Sequence, residues 1–263
     1  MSVILFEHPM SPYAQKCKLA LLEKDVDFVA RTPDGLGSGT TDSDAFTAAS
    51  PRGEVPVLLD DNVKVFDSTV ILEYIEERWP TPALLPGTPA ERARVRMLED
   101  VMDTHYEAIN WGLIELRCFH RAPGALGDTL RANAATQLEG WFAWLERALG
   151  DRPWFNGSDF GWGDVAVLPY LNCSVMLGIA PAENSRLAAW RQRALSRPTV
   201  AETDTQARAT LPDVEQGHTW LSEGLMKREY RDHRLEWMIR SGGIEVVLDG
   251  LAKDNIRFSA DFS

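Results

Sequence analysis

Val55-Pro56-Val57-Leu58-Leu59-Asp60-Asp61-Asn62-Val63-Lys64-Val65-Phe66-Asp67-Ser68 is the stretch on which the fold turns. Val55 to Leu59 and Val63 to Phe66 are short apolar runs flanking Asp60-Asp61-Asn62, and together they read as a hairpin. Asp67-Ser68 then caps a helix through about Arg78. Upstream, Val3-Ile4-Leu5-Phe6 reads as a buried strand. Ser11-Pro12 opens an amphipathic helix through about Lys24, with proline suited to the first helical position and serine to the cap. Asp27 to Arg31 reads as a second strand, followed by a loop with Gly35, Gly37 and Gly39. The order strand, helix, strand, short helix, strand, strand, helix predicts a small mixed sheet with helices packed on it.

Downstream, Pro80, Pro82, Pro86 and Pro89 stop regular structure and mark a linker. Beyond it the pattern is helical. Val95, Leu98, Val101, Met102, Ile109, Leu113 and Leu116 recur at helical spacing, as do Leu130, Ala134, Leu138, Trp141, Leu145 and Leu149. Further helices are predicted near Gly163-Asp164 and Ser185, from Thr219 to Ser241, and from Ile244 to Ala252. The expected organisation is an α/β domain over residues 1–79, a linker over 80–89, an all-helical domain over 90–211 and a helical extension over 212–263. In the extension Leu221, Leu225, Leu235 and Ile239 share one face, and Trp220, Met226, Trp237 and Met238 add apolar surface. Residues 219–252 are therefore expected to pack on the helical domain, with Ser259 to Ser263 the loosest part.

The chain has 263 residues and a formal charge of −12, with 44% hydrophobic and 25% charged residues. These values exclude collagen-like, disordered and disulfide-scaffold classes. Net acidity argues against nonspecific binding to nucleic acid or an anionic membrane. No signal peptide or membrane span is expected. Cys17, Cys118 and Cys173 are widely spaced without a CxxC pair, which suggests reduced thiols in a cytoplasmic protein. The five histidines, at 8, 105, 120, 218 and 233, lack metal-ligand spacing, so no metal is expected. Gly35-x-Gly-x-Gly lacks the ending of a phosphate loop. Lys227, Arg228, Arg231 and Arg234 alternate with Glu229 and Asp232 and read as a solvated helix face.

This organisation resembles the glutathione transferase superfamily, and three motifs carry the resemblance. Ser11-Pro12-Tyr13-Ala14-Gln15-Lys16-Cys17-Lys18-Leu19-Ala20-Leu21 is similar to the family's first helix with its serine. Ser50-Pro51-Arg52-Gly53-Glu54-Val55-Pro56-Val57-Leu58 is similar to its cis-proline loop. Asp67-Ser68 is similar to its acidic-Ser pair. With the helical domain the resemblance covers residues 3 to about 210. It implies a thioredoxin-like N-terminal domain followed by a helical C-terminal domain. One departure is Gly161, which stands where the family usually has Ser or Thr three residues before Asp164. Another is the tail beyond about residue 212.

The resemblance implies glutathione as cosubstrate, a homodimer, and no metal, nucleic acid or membrane partner. Ser11 is the implied catalytic residue, donating to the glutathione sulfur at a helix N-terminus that favours an anion. A cysteine there could form a mixed disulfide with glutathione, whereas a serine cannot. Cys17, inside the helix, reads as a core thiol. Val55 and Pro56 are implied to pair with the ligand backbone in strand fashion, and Asp67 and Ser68 to hold its γ-glutamyl end. Glu54 stands near the implied glycyl end, where many relatives carry Lys or Gln, leaving Arg52 or Arg31 for that carboxylate. Met10, Tyr13, His105, Tyr106 and Ile109 are the expected acceptor pocket, with Tyr13 next in line should Ser11 not serve. The expected activity is attack of the thiolate on a small apolar electrophile. Alternatives are glutathione-dependent isomerisation, ether cleavage or dehalogenation, and a non-catalytic scaffold.

Overall fold

The computed structural model describes residues 3–36, 44–226 and 233–253. Gly37, Gly39, Lys227, Arg228, Glu229, Arg231, Asp232 and Ser259 to Ser263 lie outside them, as does the side chain of Arg234. Four strands, β1 (Val3–Phe6), β2 (Phe28–Arg31), β3 (Val57–Asp60) and β4 (Val63–Phe66), form one sheet in the order β2-β1-β3-β4. The parallel β1–β2 pair is joined through helix α1 (Pro12–Glu23), as a parallel connection requires. β3 runs antiparallel to both β1 and β4. Strand β3 begins at Val57, two residues later than the hairpin pattern suggests, because Pro56 offers no N–H to the ladder.

Register then decides where the motifs meet. Phe6 lies opposite Val57, and Val57 lies opposite Phe66. The ends of β1 and β4 and the start of β3 therefore form one row at one edge of the sheet. The segments carrying Ser11, Val55-Pro56 and Asp67-Ser68 all leave the sheet from that row. Helix α3 (Ser68–Arg78) and α1 cover one face over Leu5, Leu19, Leu58, Ile71 and Leu72. Short α2 (Asp44–Thr47) seals the other face through Phe46, whose ring meets Phe6 edge-on at 5.5 Å.

The helical half comprises α4 (Pro89–Val101), α5 (Glu107–Arg117), α6 (Ala125–Leu149), α7 (Trp162–Met176), α8 (Arg186–Leu195) and α9 (Pro198–Val214). Helix α7 is buried on all sides from Trp162 to Ser174 and is the central post. It packs against α1 of the sheet half and against α4. The periodicity suggests one long helix through the region of α4 and α5. Instead, a π-helical turn, Met102–Tyr106, separates them.

At Gly161, which caps α7, the backbone is extended and any residue could adopt it. The reason for glycine is space. A Cβ there would lie 2.4 Å from the Leu84 carbonyl oxygen and 2.3 Å from Asn156 Nδ2. That same carbonyl accepts the Trp162 N–H at 2.9 Å, so the proline-rich segment crosses directly over the helix cap. Capping comes from Asp164, whose carboxylate accepts the Gly161 N–H at 3.1 Å. Gly161→Ser, which would restore the family's side-chain oxygen, is thus expected to destabilise by about 1–3 kcal/mol through overpacking. Chemical denaturation of both proteins checks this.

The tail departs from expectation. The helix predicted from Thr219 to Ser241 is interrupted. Helix α10 (Gly217–Ser222) ends before Gly224 at φ +72°, and α11 (His233–Arg240) and α12 (Ile244–Ala252) follow as separate helices. Helix α10 is anchored to the body. His218 N–H reaches the Cys118 carbonyl at 2.9 Å, its ring stacks on His120 at 4.1 Å, and Gly217 abuts Phe119. Helices α11 and α12 pack on each other, and Leu235, Trp237, Ile239, Ile244, Leu248 and Leu251 stay exposed. The apolar stripe is real, but helices α11 and α12 do not bury it on the helical domain.

Candidate active site

Ser11 is the N-cap of α1. Its Oγ accepts the Ala14 N–H at 3.3 Å, which leaves the serine O–H to donate outward. The preceding loop is fixed. Gln15 Nε2 donates to the Pro9 carbonyl at 2.7 Å, and Ser11 N–H reaches the His8 carbonyl at 2.8 Å. Burial pushes the His8 imidazole below its ordinary value, and its Nδ1 accepts from Met10 N–H at 3.2 Å. The resulting end of α1 offers a hydroxyl donor and a helix N-terminus, both favourable to an anion.

The second segment is built around Ser50. Its hydroxyl donates to the Glu54 carbonyl and accepts the Glu54 N–H, each at 3.0 Å, while Gly53 turns the chain at φ +64°. The Val55-Pro56 peptide bond is cis. Val55 therefore precedes β3 as irregular backbone at the row described above.

In the third segment the pair divides its labour. Asp67 is the N-cap of α3, its Oδ1 accepting from Thr69 N–H at 3.1 Å and Val70 N–H at 3.3 Å. Ser68 is the first helical residue and is buried. Asp67 adopts φ +75°, a sparsely populated region for a non-glycine residue. Its other oxygen, Oδ2, lies 3.7 Å from Arg52 Nη1, and the Arg52 guanidinium also sits 5.5 Å from the centre of the Phe66 ring. Arg52 is thus turned toward the α3 terminus. Arg31 ends β2 with an exposed side chain.

The five expected pocket residues do not converge. Met10 is buried beside Ser11. Tyr13 donates its hydroxyl to the Asp103 carbonyl at 2.7 Å, and its ring meets Tyr170 edge-on. Burial above all, then the charges of Glu107, Asp103 and Glu54, push the Tyr13 phenol well above its ordinary value. Tyr13 is therefore tied into the interface between the halves and is no substitute for Ser11. Tyr106 and Ile109 belong to the helical core, where Tyr106 shares a 2.8 Å hydrogen bond with Ser174. His105 turns toward Trp141 of α6, with ring centroids 6.0 Å apart. The apolar spacing suggests one continuous helix through His105, Tyr106 and Ile109, whereas a π turn interrupts it at Met102–Tyr106. Cys17 is wholly buried, its Sγ 3.5 Å from the Ser68 carbonyl, and burial pushes its thiol well up.

The residues that sequence reasoning missed lie beneath Ser11. Lys16 is wholly buried and pairs with Glu99 and Asp103. The available signal was a lysine one turn after Tyr13 on a helix otherwise rich in apolar residues, together with Glu99 and Asp103 at i, i+4 amid an apolar pattern. Among the described residues no cluster of His, Cys, Asp and Glu is arranged to hold a metal ion, and no helix is long and apolar enough to cross a membrane.

Comparison with known proteins agrees with this arrangement. Residues 5–83 match the glutathione S-transferase N-terminal domain family and residues 128–193 the glutathione S-transferase C-terminal domain family. The chain is 30% identical over 248 residues to a probable glutathione S-transferase, GSTU1, of Oryza sativa subsp. japonica, covering 87% of this chain and 96% of the relative. It is 29% identical to glutathione S-transferase U28 of Arabidopsis thaliana over 224 residues, 81% of this chain and 90% of the relative. Among solved structures, rice GST1 in complex with glutathione superposes with a TM-score of 0.68 at 27% identity, over 82% of this chain and 98% of that one.

Proposed function

This chain belongs to the glutathione S-transferase superfamily and is a transferase, and on that premise we propose that it activates the glutathione thiol for attack on a small apolar electrophile. The observation that carries the proposal is the single row from which Ser11, Val55-Pro56 and Asp67-Ser68 depart. A tripeptide laid along that row meets three complementary groups. The helix α3 terminus takes its γ-glutamyl carboxylate, the Val55 backbone pairs with its cysteine, and the Ser11 O–H faces its sulfur. Retention on immobilised glutathione, with turnover of chlorodinitrobenzene, tests the reading. Absence of both retention and turnover would refute it in favour of a non-catalytic scaffold, and retention without turnover would favour isomerisation, ether cleavage or dehalogenation.

The glycyl end then falls near Glu54. Like charge disfavours binding there, and Arg52 is already drawn toward Asp67. Glu54→Lys is expected to lower the KM for glutathione by about fivefold to tenfold, in line with roughly 1 kcal/mol for a half-exposed charge pair. Steady-state kinetics with glutathione varied is the check. A homodimer forms part of the same proposal, supported by the exposed Phe66, Val70 and Met97 on β4, α3 and α4. So does a cytoplasmic location, supported by three buried cysteines with no disulfide among them.

A further inference from the structure

The Lys16 ammonium lies where α1, α3, α4 and α7 meet. Nζ donates to Glu99 Oε1 at 2.6 Å and to Asp103 Oδ2 at 2.5 Å. Thr69 Oγ1 donates to the same Glu99 oxygen at 2.8 Å. From α7, Trp162 Nε1 donates to Glu99 Oε2 at 2.6 Å and the Tyr170 hydroxyl to Asp103 Oδ1 at 2.5 Å. All four carboxylate oxygens are thus satisfied by donors from three other elements.

The π turn makes this convergence possible. In an α-helix the Glu107 N–H would bond to the Asp103 carbonyl, whereas here it bonds to Met102. The Asp103 carbonyl is released and accepts the Tyr13 hydroxyl at 2.7 Å. Helix α1 therefore grips Asp103 twice, through Tyr13 on the backbone and Lys16 on the carboxylate. A buried ionic cluster of this kind is a weak source of stability compared with apolar packing of the same volume. It does impose a unique relative placement, because each bond has a fixed partner and direction.

The elements so placed are the two that end at the proposed ligand. Lys16 lies five residues after Ser11 on α1, and Thr69 directly follows Ser68 on α3. We propose that the Lys16–Glu99–Asp103 cluster is a positioning device for the thiol site. It holds the N-termini of α1 and α3 at one fixed separation, so that both ends of a single tripeptide are engaged together. Lys16, Thr69 and Asp103 act through Ser11 and Ser68 and do not themselves touch the ligand. The proposal rests on the reading of the glutathione site given above.

Thr69→Val is the sharpest test. It keeps the side-chain shape and leaves Glu99 Oε1 paired with Lys16, while cutting the tie between α3 and the cluster. Asp103→Asn is the companion, retaining an oxygen for Lys16 and the Lys16–Glu99 pair. Each is expected to raise the KM and the calorimetric Kd for glutathione about tenfold, the scale on which small misplacement of binding groups acts. The KM for chlorodinitrobenzene should stay as in the wild type. Folded circular dichroism with unchanged glutathione affinity in both variants would overturn the proposal, as would a lowered melting temperature with unchanged affinity. Should one variant fail to fold, the other decides by the same criterion. A wild-type protein that does not bind glutathione would refute the site reading itself, and the proposal with it.

Discussion

Ser11→Ala is expected to lower kcat for conjugation about a hundredfold while leaving the Kd for glutathione within a few-fold of wild type. A free thiol of the glutathione type has an ordinary pKa of about 8.5, so only a few per cent is thiolate at pH 7. The Ser11 hydroxyl at the α1 cap is the proposed donor to the sulfur, and loss of a single preorganised donor to a developing anion typically costs ~3 kcal/mol. The α1 N-terminus persists in the variant, so some thiolate stabilisation remains. Binding is largely spared because the α3 terminus and the Val55 backbone are untouched. Stopped-flow or steady-state turnover gives kcat, and the ultraviolet absorbance of bound thiolate should fall at neutral pH. Turnover equal to wild type would remove Ser11 from the catalytic role.

Asp164→Ala should produce the largest loss of stability. The Asp164 carboxylate is wholly buried at the start of α7. It accepts from Phe155 N–H at 2.8 Å, Asn156 N–H at 3.2 Å, Gly161 N–H at 3.1 Å and Trp190 Nε1 at 2.7 Å. Alanine would strand these four donors, at least two of them in the core, at roughly 1–3 kcal/mol each. An overall loss of about 4 kcal/mol or more follows, a fall in Tm on the order of 10 °C. Burial pushes the Asp164 carboxyl up from 3.8 to about 6, outweighing its hydrogen bonds. The folded value therefore exceeds the unfolded one, and protons favour the fold at this group. Its contribution is full below pH 3.8 and is lost as pH rises through about 6. The deficit of the variant relative to wild type should accordingly be larger at pH 5 than at pH 7. Denaturant titrations at the two pH values test both the size and the sign.

Much of the fold was legible because its local signals agree. Ser11-Pro12, Asp67, Ser185 and the alternation around Asp61 each specify a cap or a turn by short-range chemistry, and the structure uses them as such. The motif triad was legible for the same reason, since each member lies at the start of an element. Three features were not. The π turn in the long helix frees the Asp103 carbonyl for Tyr13 of α1, and apolar spacing averages over a one-residue shift. Tyr106 and Ile109, expected at a pocket from their place midway along the helical region, lie in the core, because an apolar residue on a helix reads the same at a pocket as in a core. The second is Gly161, which as a sequence reads as a missing cap. Its true constraint is the Leu84 carbonyl, contributed by a segment almost eighty residues earlier. Contacts at such separation leave no local trace. The interruption at Gly224 was similarly masked, because Leu221 and Leu235 keep one apolar spacing past the end of α10.

The placement of the cysteines bears on how such a protein lives with the reagent we propose it handles. All three, Cys17, Cys118 and Cys173, are buried, and burial raises the Cys17 thiol far above its ordinary value and the Cys173 thiol to about 12. Disulfide exchange requires a thiolate and an open line of approach. Burial denies all three an open approach in the native state, and a raised pKa denies Cys17 and Cys173 the thiolate, so oxidised low-molecular-weight thiols are expected to leave the folded chain unmodified. Covalent scarring by such species is reserved for molecules that have already come open. In a fluctuating redox environment the folded population would stay chemically clean, and only opened copies would carry mixed disulfides.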